Sequence, residues 1–255
     1  MVIVGGWVLQ SAGSPNNEFG QTGAAVVRSL RVNVLREIPH DIDAFTQGLL
    51  WWNGKLYEST GQYASSTLRR INPKTGEVER RINIEPAYFA EGLARIDNRL
   101  LILTWKAERA LVYDIEKFNF VRMLRYRGEG WGLCNDGARL VMSNGSNKLT
   151  FLDLQTFEVT GFVSVTLRGQ PQNQLNELEC AKGIVYANIW NQDYIVRIDP
   201  SSGRVTHQID ASKLLTQRER SSADVLNGIA HNPDSETFYI TGKWWPKMFE
   251  VQFIE

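Results

Sequence analysis

A short phrase recurs five times along the chain: a polar or aromatic residue, then Gly (Glu in one copy), then Leu or Ile. The copies are spaced by 44, 40, 45 and 51 residues, and they begin at Gln47, Glu91, Trp131, Asn176 and Asn227. Glu91 is the only acid among these leading residues. Because a carboxylate placed among amides and an indole can act as a general base and acid, we expect the chemistry to centre on Glu91.

A second set of residues follows the first at a nearly constant distance. Each phrase is followed by a turn signal, such as Asn53-Gly54, and then by an alternating apolar run, such as Leu100–Thr104. Directly or shortly after these runs stand Gln62, Trp105, Asn144, Trp190 and Lys243. This set adds one ammonium group, two indoles and two amides to the carboxylate.

The same pattern predicts the elements that position both sets. After each run comes a further strand, in places ending in a turn signal, as in Leu68–Gly76 and Ile195–Gly203. Short strands joined by hairpin turns predict four-stranded antiparallel meanders, and five such units predict an all-β, five-bladed β-propeller. The last unit ends after its third strand, so we expect the N-terminal strand Ser29–Arg36 to supply the missing outer strand and close the ring.

In a meander the first strand starts, and the second strand ends, at the same face. Both sets of residues are therefore expected to ring one mouth of the central channel. Taken singly, an amide or acid there is equally well explained by hydrogen bonds to loop backbone, and a strand-end tryptophan by core packing. Trp51, Trp52 and Trp244 are assigned to core packing. An acid, a lysine and a tryptophan wall occurring together are typical of an active site.

The composition indicates a globular protein. Apolar residues make up 43% of the 255 residues, and 28 basic residues balance 28 acidic ones. No basic run suits a phosphate backbone, so no nucleic-acid partner is expected. Residues 1–27 are expected to be a tail or the remnant of a secretory signal, since the apolar Met1–Leu9 is too short to span a membrane. Residues 28–255 are the predicted catalytic domain.

The cysteines and histidines do not follow the spacing of a metal site. Cys134 and Cys180 are too few for a zinc site of four ligands and are expected to be two buried thiols, with a single bridge between neighbouring elements as the alternative. His40, His207 and His231 are scattered and are expected to be structural. No metal or other cofactor is predicted.

Longer motifs surround the selected positions. Eight of them occur in order between about residues 32 and 255, and they are Pro39–Gly48, Tyr57–Tyr63, Phe89–Leu93, Glu129–Leu133, Leu175–Glu179, Ala187–Trp190, Asp224–Ala230 and Thr241–Lys247. Together they resemble the metal-free glutaminyl-peptide cyclotransferases of plants and bacteria. The resemblance implies that N-terminal glutamine of a peptide or protein is converted to pyroglutamate with release of ammonia. A periplasmic or secreted monomer is expected.

The resemblance also implies roles for individual residues. The essential acid corresponds to Glu91, and its polar partners correspond to Asn176 and Lys243. The substrate pocket corresponds to Phe45, Gln47, Phe89, Trp105, Trp131 and Trp190. The chain departs from the family at Asn144, where an acid is often found, and the role of that position stays open.

These residue types fit the implied reaction. A free α-amino group has a pKa of about 7.7–8.0 and is largely ammonium at neutral pH, so it must lose a proton before it can attack the side-chain amide. Glu91, its charge disfavoured by the tryptophans around it, can take that proton and hand it to the departing ammonia. Asn176 and Lys243 are expected to stabilise the developing oxyanion.

Two other functions fit the same pattern. A calcium-dependent lactonase-type propeller would use Glu91, Asn176 and Asn227 as ligands, but Lys243 and the single acid argue against it. A non-catalytic propeller that binds peptides is the second alternative, because this fold hosts both kinds of function. Ammonia release from a peptide that begins with glutamine would distinguish all three.

Overall fold

The computed structural model describes residues 1–3 and 26–255, and β-strands dominate this part of the chain. The predicted tail or signal remnant at residues 1–27 lies mostly outside the described residues. Within those ranges, no helix is long and apolar enough to cross a membrane.

After β1 (Arg28–Pro39), the chain forms three four-stranded antiparallel sheets in succession. The first consists of β2 (Thr46–Trp52), β3 (Lys55–Thr60), β4 (Thr67–Ile71) and β5 (Val78–Asn83). The second consists of β6 (Ala90–Ile96), β7 (Arg99–Thr104), β8 (Arg109–Asp114) and β9 (Phe120–Arg125). The third consists of β10 (Leu133–Asn135), β11 (Leu140–Met142), β12 (Lys148–Leu152) and β13 (Val159–Ser164). The order of the strands in each sheet follows the chain, as the meander pattern predicted.

The later strands form a hairpin and one eight-stranded sheet. The hairpin consists of β14 (Thr166–Leu167) and β15 (Gln170–Pro171). One half of the large sheet consists of β16 (Leu175–Ala181), β17 (Ile184–Ile189), β18 (Tyr194–Ile198) and β19 (Val205–Asp210). The other half contains β20 (Leu226–Asn232), β21 (Thr237–Gly242) and β22 (Lys247–Ile254). The short helix α1 (Gln217–Arg220) lies between the two halves and begins with a capping box.

Strand β1 joins the two halves of the large sheet. It pairs antiparallel with β22, with Val32 opposite Phe253, so the N-terminal strand supplies the strand that the last unit lacks, as predicted. Its first residues also pair in parallel with β19, with Leu30 opposite Ile209. This second pairing was not predicted. It ties β1 to both halves of the sheet and covers an edge of each.

The first strands of the meanders contact one another in turn: β2 contacts β6, β6 contacts β10, β10 contacts β16, β16 contacts β20, and β20 contacts β2. Burial decreases from these strands outward, so that β2, β3 and β4 are largely buried and β5 is largely exposed. Apolar clusters fill the spaces between neighbouring sheets, as where Leu68 of the first sheet and Leu100 of the second lie in one cluster. Each fully buried leucine of this kind contributes about 1.5–3 kcal/mol.

The glycine of the recurring phrase is explained by the close approach of the first strands. A Cβ atom at Gly48 would lie 2.5 Å from the backbone nitrogen of Leu93, and one at Gly92 would lie 2.5 Å from that of Leu133. At Gly132 a Cβ atom would lie 2.1 Å from the carbonyl oxygen of Asn176. Only glycine lets neighbouring backbones come this close.

In one copy of the phrase, Glu177 stands in place of the glycine, and its side chain connects neighbouring strands. Glu177 is buried, and its two carboxylate oxygens accept hydrogen bonds from the backbone nitrogens of Leu49 (3.2 Å) and Ile229 (2.9 Å). Burial raises the pKa of Glu177 well above its ordinary value, although these two hydrogen bonds lower it. The side chain thus links β16 to β2 and β20 inside the ring of first strands.

Cys134 in β10 and Cys180 in β16 form a disulfide. The prediction of two free buried thiols is therefore wrong, and the alternative of a single bridge between neighbouring elements is right. The bond closes a long stretch of chain, since the two residues are 46 positions apart. A cross-link of this kind stabilises the fold by restricting the unfolded chain.

Candidate active site

All nine predicted site residues line one cavity of about 430 Å³. Four of the five leading residues reach it from the starts of first strands, and four of the five residues of the second set reach it from the ends of second strands, as the meander geometry predicted. The lining residues from the prediction, including Gln62 of the second set, are Phe45, Gln47, Gln62, Phe89, Glu91, Trp105, Trp131, Asn176, Trp190 and Lys243.

Two residues expected at the mouth of the channel do not line this cavity. Asn227 is fully buried, and its side-chain nitrogen donates to the carbonyl oxygen of Thr46 (2.9 Å) and to Oε1 of Gln47 (3.1 Å). Asn144 is exposed, and its side chain accepts hydrogen bonds from Ser146. The expectation that both face the cavity is wrong, because the Asn227 amide binds Thr46 and Gln47 of β2 and the Asn144 side chain binds Ser146.

The cavity has two lining residues that sequence reasoning did not select, Asn191 and Asp224. Asp224 adds a second carboxylate, so the expectation that Glu91 is the only acid at this mouth is wrong. Asp224 is held beside Lys243, because its backbone nitrogen donates to the carbonyl oxygen of that residue (2.9 Å). It precedes the phrase of its unit by three residues, which is why the repeat did not single it out.

Glu91 projects from β6 at an irregularity in the strand. The pairing of β6 with β7 shifts register between Ala90 and Leu93, which frees the residues in between from regular pairing. The side chain of Gln47 donates to Oε1 of Glu91 (3.0 Å), and Ser59 donates to its backbone oxygen (2.6 Å). The acid is therefore fixed in position at the base of the cavity.

The environment of Glu91 favours its protonated form. Burial raises its pKa well above the ordinary value for glutamate. The nearby Lys243 ammonium lowers this pKa, and the Glu129 carboxylate raises it. A carboxyl group whose pKa is moved toward neutrality is suited to accept and return a proton.

Lys243 is the cationic counterpart of Glu91 in the cavity. Its side chain is nearly buried, and Nζ lies 4.7 Å from the centre of the Phe45 ring. Burial lowers the pKa of Lys243, while the charges of Glu91 and Asp224 raise it. Asn176 places a second hydrogen-bond donor in the same lining, and its backbone is held because Ser143 donates to its carbonyl oxygen (2.6 Å).

Aromatic side chains form the wall of the cavity. The Phe89 ring packs edge-on against Phe45 (6.1 Å between centres) and Trp105 (5.6 Å), and Trp131 packs edge-on against Trp190 (5.9 Å). Trp244 was assigned to core packing, and this is wrong: it is 38% exposed, and its ring lies 4.8 Å from that of Phe45.

Glu129 supports this wall from outside the cavity lining. Its Oε2 atom accepts a hydrogen bond from Nε1 of Trp105 (2.8 Å) and another from Nε1 of Trp131 (3.0 Å). Sequence reasoning missed this residue, since Glu129 stands two positions before the phrase rather than in it. Its place in the motif Glu129–Leu133 was the available signal.

A larger cavity of about 660 Å³ adjoins the first and shares Asn191 and Asp224 with it. None of the nine predicted site residues lines it. In the described part of the chain, no group of three or more His, Cys, Asp and Glu side chains is arranged to hold a metal ion.

A buried acid and a buried lysine in one aromatic cavity are features of an enzyme that moves protons. Comparison with known proteins gives its family. Residues 7–253 match the family described as glutamine cyclotransferase, and the chain belongs to that family.

Two relatives show how far the likeness extends. A glutaminyl-peptide cyclotransferase of Arabidopsis thaliana is 39% identical over 247 residues, which cover 93% of this chain and 77% of the relative. The crystal structure of Myxococcus xanthus glutaminyl cyclase superposes with a TM-score of 0.82 at 40% identity and covers 90% of this chain and 99% of that one. The resemblance found in the sequence motifs is thereby confirmed.

Proposed function

We propose that this protein is a glutaminyl-peptide cyclotransferase, which converts the N-terminal glutamine of a peptide or protein to pyroglutamate and releases ammonia. The single observation that carries the proposal is that the buried side chains of Glu91 and Lys243 share one aromatic-walled cavity of about 430 Å³. Both relatives named above are glutaminyl cyclases. We further propose that residues 28–255 form one catalytic domain.

We infer that the sheets are the blades of a five-bladed propeller. The contacts between β2, β6, β10, β16 and β20 close into a ring, and each of these strands is the first of a meander. In this interpretation the eight-stranded sheet is two blades that β1 joins, since β1 is the outer strand after β22 and also pairs with β19.

The substrate's first residue is proposed to enter with its side chain against the aromatic wall of Trp105, Trp131 and Trp190. Its α-amino group lies within reach of Glu91, and its side-chain amide oxygen lies toward Asn176 and Lys243. The wall holds the glutamine bent, so that the amine lies near the amide carbon. Ring closure is intramolecular, and fixing this near-attack form removes much of the remaining entropic cost.

In the proposed reaction the substrate reacts as the free amine, which is in equilibrium with its ammonium form, and Glu91 moves one proton from one nitrogen to another. The carboxylate takes a proton from the α-nitrogen as that nitrogen attacks the carbonyl carbon of the side chain, and the new C–N bond closes the five-membered ring. Lys243 and Asn176 donate hydrogen bonds to the oxygen while it carries negative charge. Glu91 then protonates the amide nitrogen, the bond from carbon to that nitrogen breaks, and ammonia leaves.

We propose that the reaction needs no metal. The cavity has a cation of its own in Lys243, which can stabilise the oxyanion. A lysine ammonium beside the acid would also repel a divalent ion.

The location and assembly are proposed on separate grounds. The disulfide between Cys134 and Cys180 is typical of an oxidising compartment, which supports a periplasmic or secreted protein. We also propose that the protein acts as a monomer.

The test is to incubate purified protein with a short peptide that begins with glutamine and to follow ammonia and peptide mass. The proposal expects stoichiometric release of ammonia and loss of the same mass from the peptide. A peptide with the same sequence but an acetylated N-terminus is the control and should be unchanged, because its α-nitrogen cannot attack. Reaction at the untreated rate after dialysis against EDTA supports metal independence, and activity restored only by added Zn²⁺ or Ca²⁺ overturns it.

A further inference from the structure

Glu129 connects two tryptophans that come from different sheets. Trp105 follows β7 of the second sheet, and Trp131 precedes β10 of the third. Both indole nitrogens donate to the same oxygen, Oε2 of Glu129, at 2.8 Å and 3.0 Å. A carboxylate oxygen has room for two such donors, and hydrogen bonds to a charged acceptor are stronger than neutral ones. One side chain therefore fixes the rotation of both rings.

The other oxygen of Glu129 faces a cation. Nζ of Lys106 lies 3.9 Å from Oε1 of Glu129 and 3.8 Å from the centre of the Trp105 ring. The carboxylate is 40% exposed, so it lies at the rim rather than inside the cavity. It does not line the cavity, and its influence on a bound peptide must pass through the indoles or through its charge.

We propose that Glu129 is a positioning residue for the substrate: it locks Trp105 and Trp131 together as one rigid part of the wall against which the N-terminal glutamine is bent. This inference rests on the proposed function and deepens it. Without the shared acceptor, each indole could turn about its side-chain bonds independently, and the bent form of the substrate would be held less tightly.

Glu129 also acts on Glu91 through its charge. Two charged groups change the pKa of Glu91: Lys243 lowers it and Glu129 raises it. Glu91 in turn raises the pKa of the Tyr126 phenol. Removing the charge of Glu129 should therefore lower the pKa of Glu91. Because Glu91 must be a carboxylate to accept the proton, the acid limb of the plot of kcat/KM against pH should then move to lower pH. A residue that only supported the fold would not shift this limb.

The experiment compares Glu129→Gln and Glu129→Leu with the parent. The leucine variant removes both acceptor oxygens, and the glutamine variant keeps a weaker, neutral acceptor. We expect kcat/KM to fall about tenfold or more for leucine, less for glutamine, and mainly through KM. Glu108→Gln is the matched control: its carboxylate accepts a hydrogen bond from the backbone nitrogen of Gly128, the residue before Glu129, and the two indole nitrogens donate to Glu129 instead. It should leave KM unchanged.

A double-mutant test locates the effect in the indoles. In a background that carries both Trp105→Phe and Trp131→Phe, each position keeps an aromatic ring but loses the indole N–H that donates to Glu129. There Glu129→Gln should no longer change KM but should still move the acid limb to lower pH. An equal loss of kcat/KM in both backgrounds overturns the proposal.

A readout without substrate separates this inference from the proposed function. In protein labelled with ¹⁵N-tryptophan, the indole N–H resonances of Trp105 and Trp131 are assigned from the two Trp→Phe variants. Glu129→Gln should shift these two resonances and leave the other tryptophans in place. Unshifted resonances together with a parent-like KM overturn the positioning role. A parent protein that releases no ammonia while these resonances shift overturns the proposed function alone.

Discussion

The side-chain amide of Gln47 donates a hydrogen bond of 3.0 Å to Oε1 of Glu91. The oxygen of the same amide is occupied, because Asn227 donates to it at 3.1 Å. Asn227 in turn is anchored to the carbonyl oxygen of Thr46. This chain of hydrogen bonds sets the orientation of the Gln47 amide and presents a nitrogen, not an oxygen, to the acid.

Replacing Gln47 by leucine should loosen Glu91 without unfolding the protein. The variant keeps the volume of the side chain but removes the donor, so the carboxylate loses its fixed orientation. We expect kcat/KM to fall about tenfold or more, because a hydrogen bond to a charged group contributes about 1.5–3 kcal/mol. Steady-state kinetics with a Gln-initiated peptide measure this, and Asn144→Leu, at an exposed position outside the cavity, is the control that should match the parent.

Lys243→Met should change the pH profile at both limbs. In the proposed mechanism the alkaline limb reflects the loss of charge at Lys243, whose pKa burial lowers, so this limb should disappear. The acid limb, which the same mechanism assigns to Glu91, should remain but move to higher pH, because the cation that lowers the pKa of Glu91 is gone. The rate at the optimum should fall about 10²-fold or more, as for a lost oxyanion donor. A variant that keeps the parent's alkaline limb would show that another group titrates there.

Gly61→Ala should damage the pocket by sterics alone. A Cβ atom at Gly61 would lie 2.2 Å from the Phe89 ring, so the ring must move away from its contacts with Phe45 and Trp105. We expect a higher KM with a folded, soluble protein. Gly161→Ala is the matched control, because the added Cβ atom would meet only Phe151 at an ordinary 3.8 Å. Equal kinetics for the two variants would mean that the position of Phe89 does not matter for binding.

The buried Glu91 should lower stability at high pH. Its folded-state pKa is raised above the ordinary value of 4.5, so the folded protein holds a proton that the unfolded chain releases. The stabilising contribution of Glu91 is fully present below about pH 4.5 and is lost as the pH rises through the folded-state pKa. Glu91→Gln lacks this dependence.

Thermal unfolding at several pH values tests this linkage. The melting temperature of Glu91→Gln should exceed that of the parent by a few degrees at pH 8, and the difference should shrink toward pH 4. Glu179→Gln should behave similarly, since burial raises the pKa of Glu179 to about 8. A difference between Glu91→Gln and the parent that does not change with pH would contradict a raised pKa at Glu91.

The strands and the nine cavity residues could be predicted because the repeat sets the start of every first strand, and the meander sets the end of every second strand. What the repeat could not set is which side chains meet between neighbouring sheets. Cys134 stands three residues after its leading residue and Cys180 four. Only the packing of β10 against β16 shows that these two sulfurs are bonded.

Contacts between side chains of different units could not be predicted from the sequence either. Glu129 accepts hydrogen bonds from two indoles, and this depends on side-chain rotamers that the spacing of residues does not predict. For the same reason the sequence did not show that the Asn227 amide binds Gln47. The parallel pairing of β1 with β19 depends on how the whole ring closes, which is a property of the complete fold.

The central claim is that Glu91 carries the proton from the attacking amine to the leaving ammonia, and the most direct measurement is turnover by Glu91→Gln. The substitution keeps the size of the side chain and much of its hydrogen bonding, but it cannot accept the proton. Glu179→Gln is the control, because it changes another carboxyl group with a raised pKa that lies outside this cavity.

With a Gln-initiated peptide, ammonia release by Glu91→Gln should fall by roughly 10²–10⁴ in kcat, while peptide binding measured by calorimetry stays within a few-fold of the parent. Glu179→Gln should turn over at the parent's rate. Glu91→Gln protein that releases ammonia at near the parent's rate would contradict the account, and a different group would then have to move the proton.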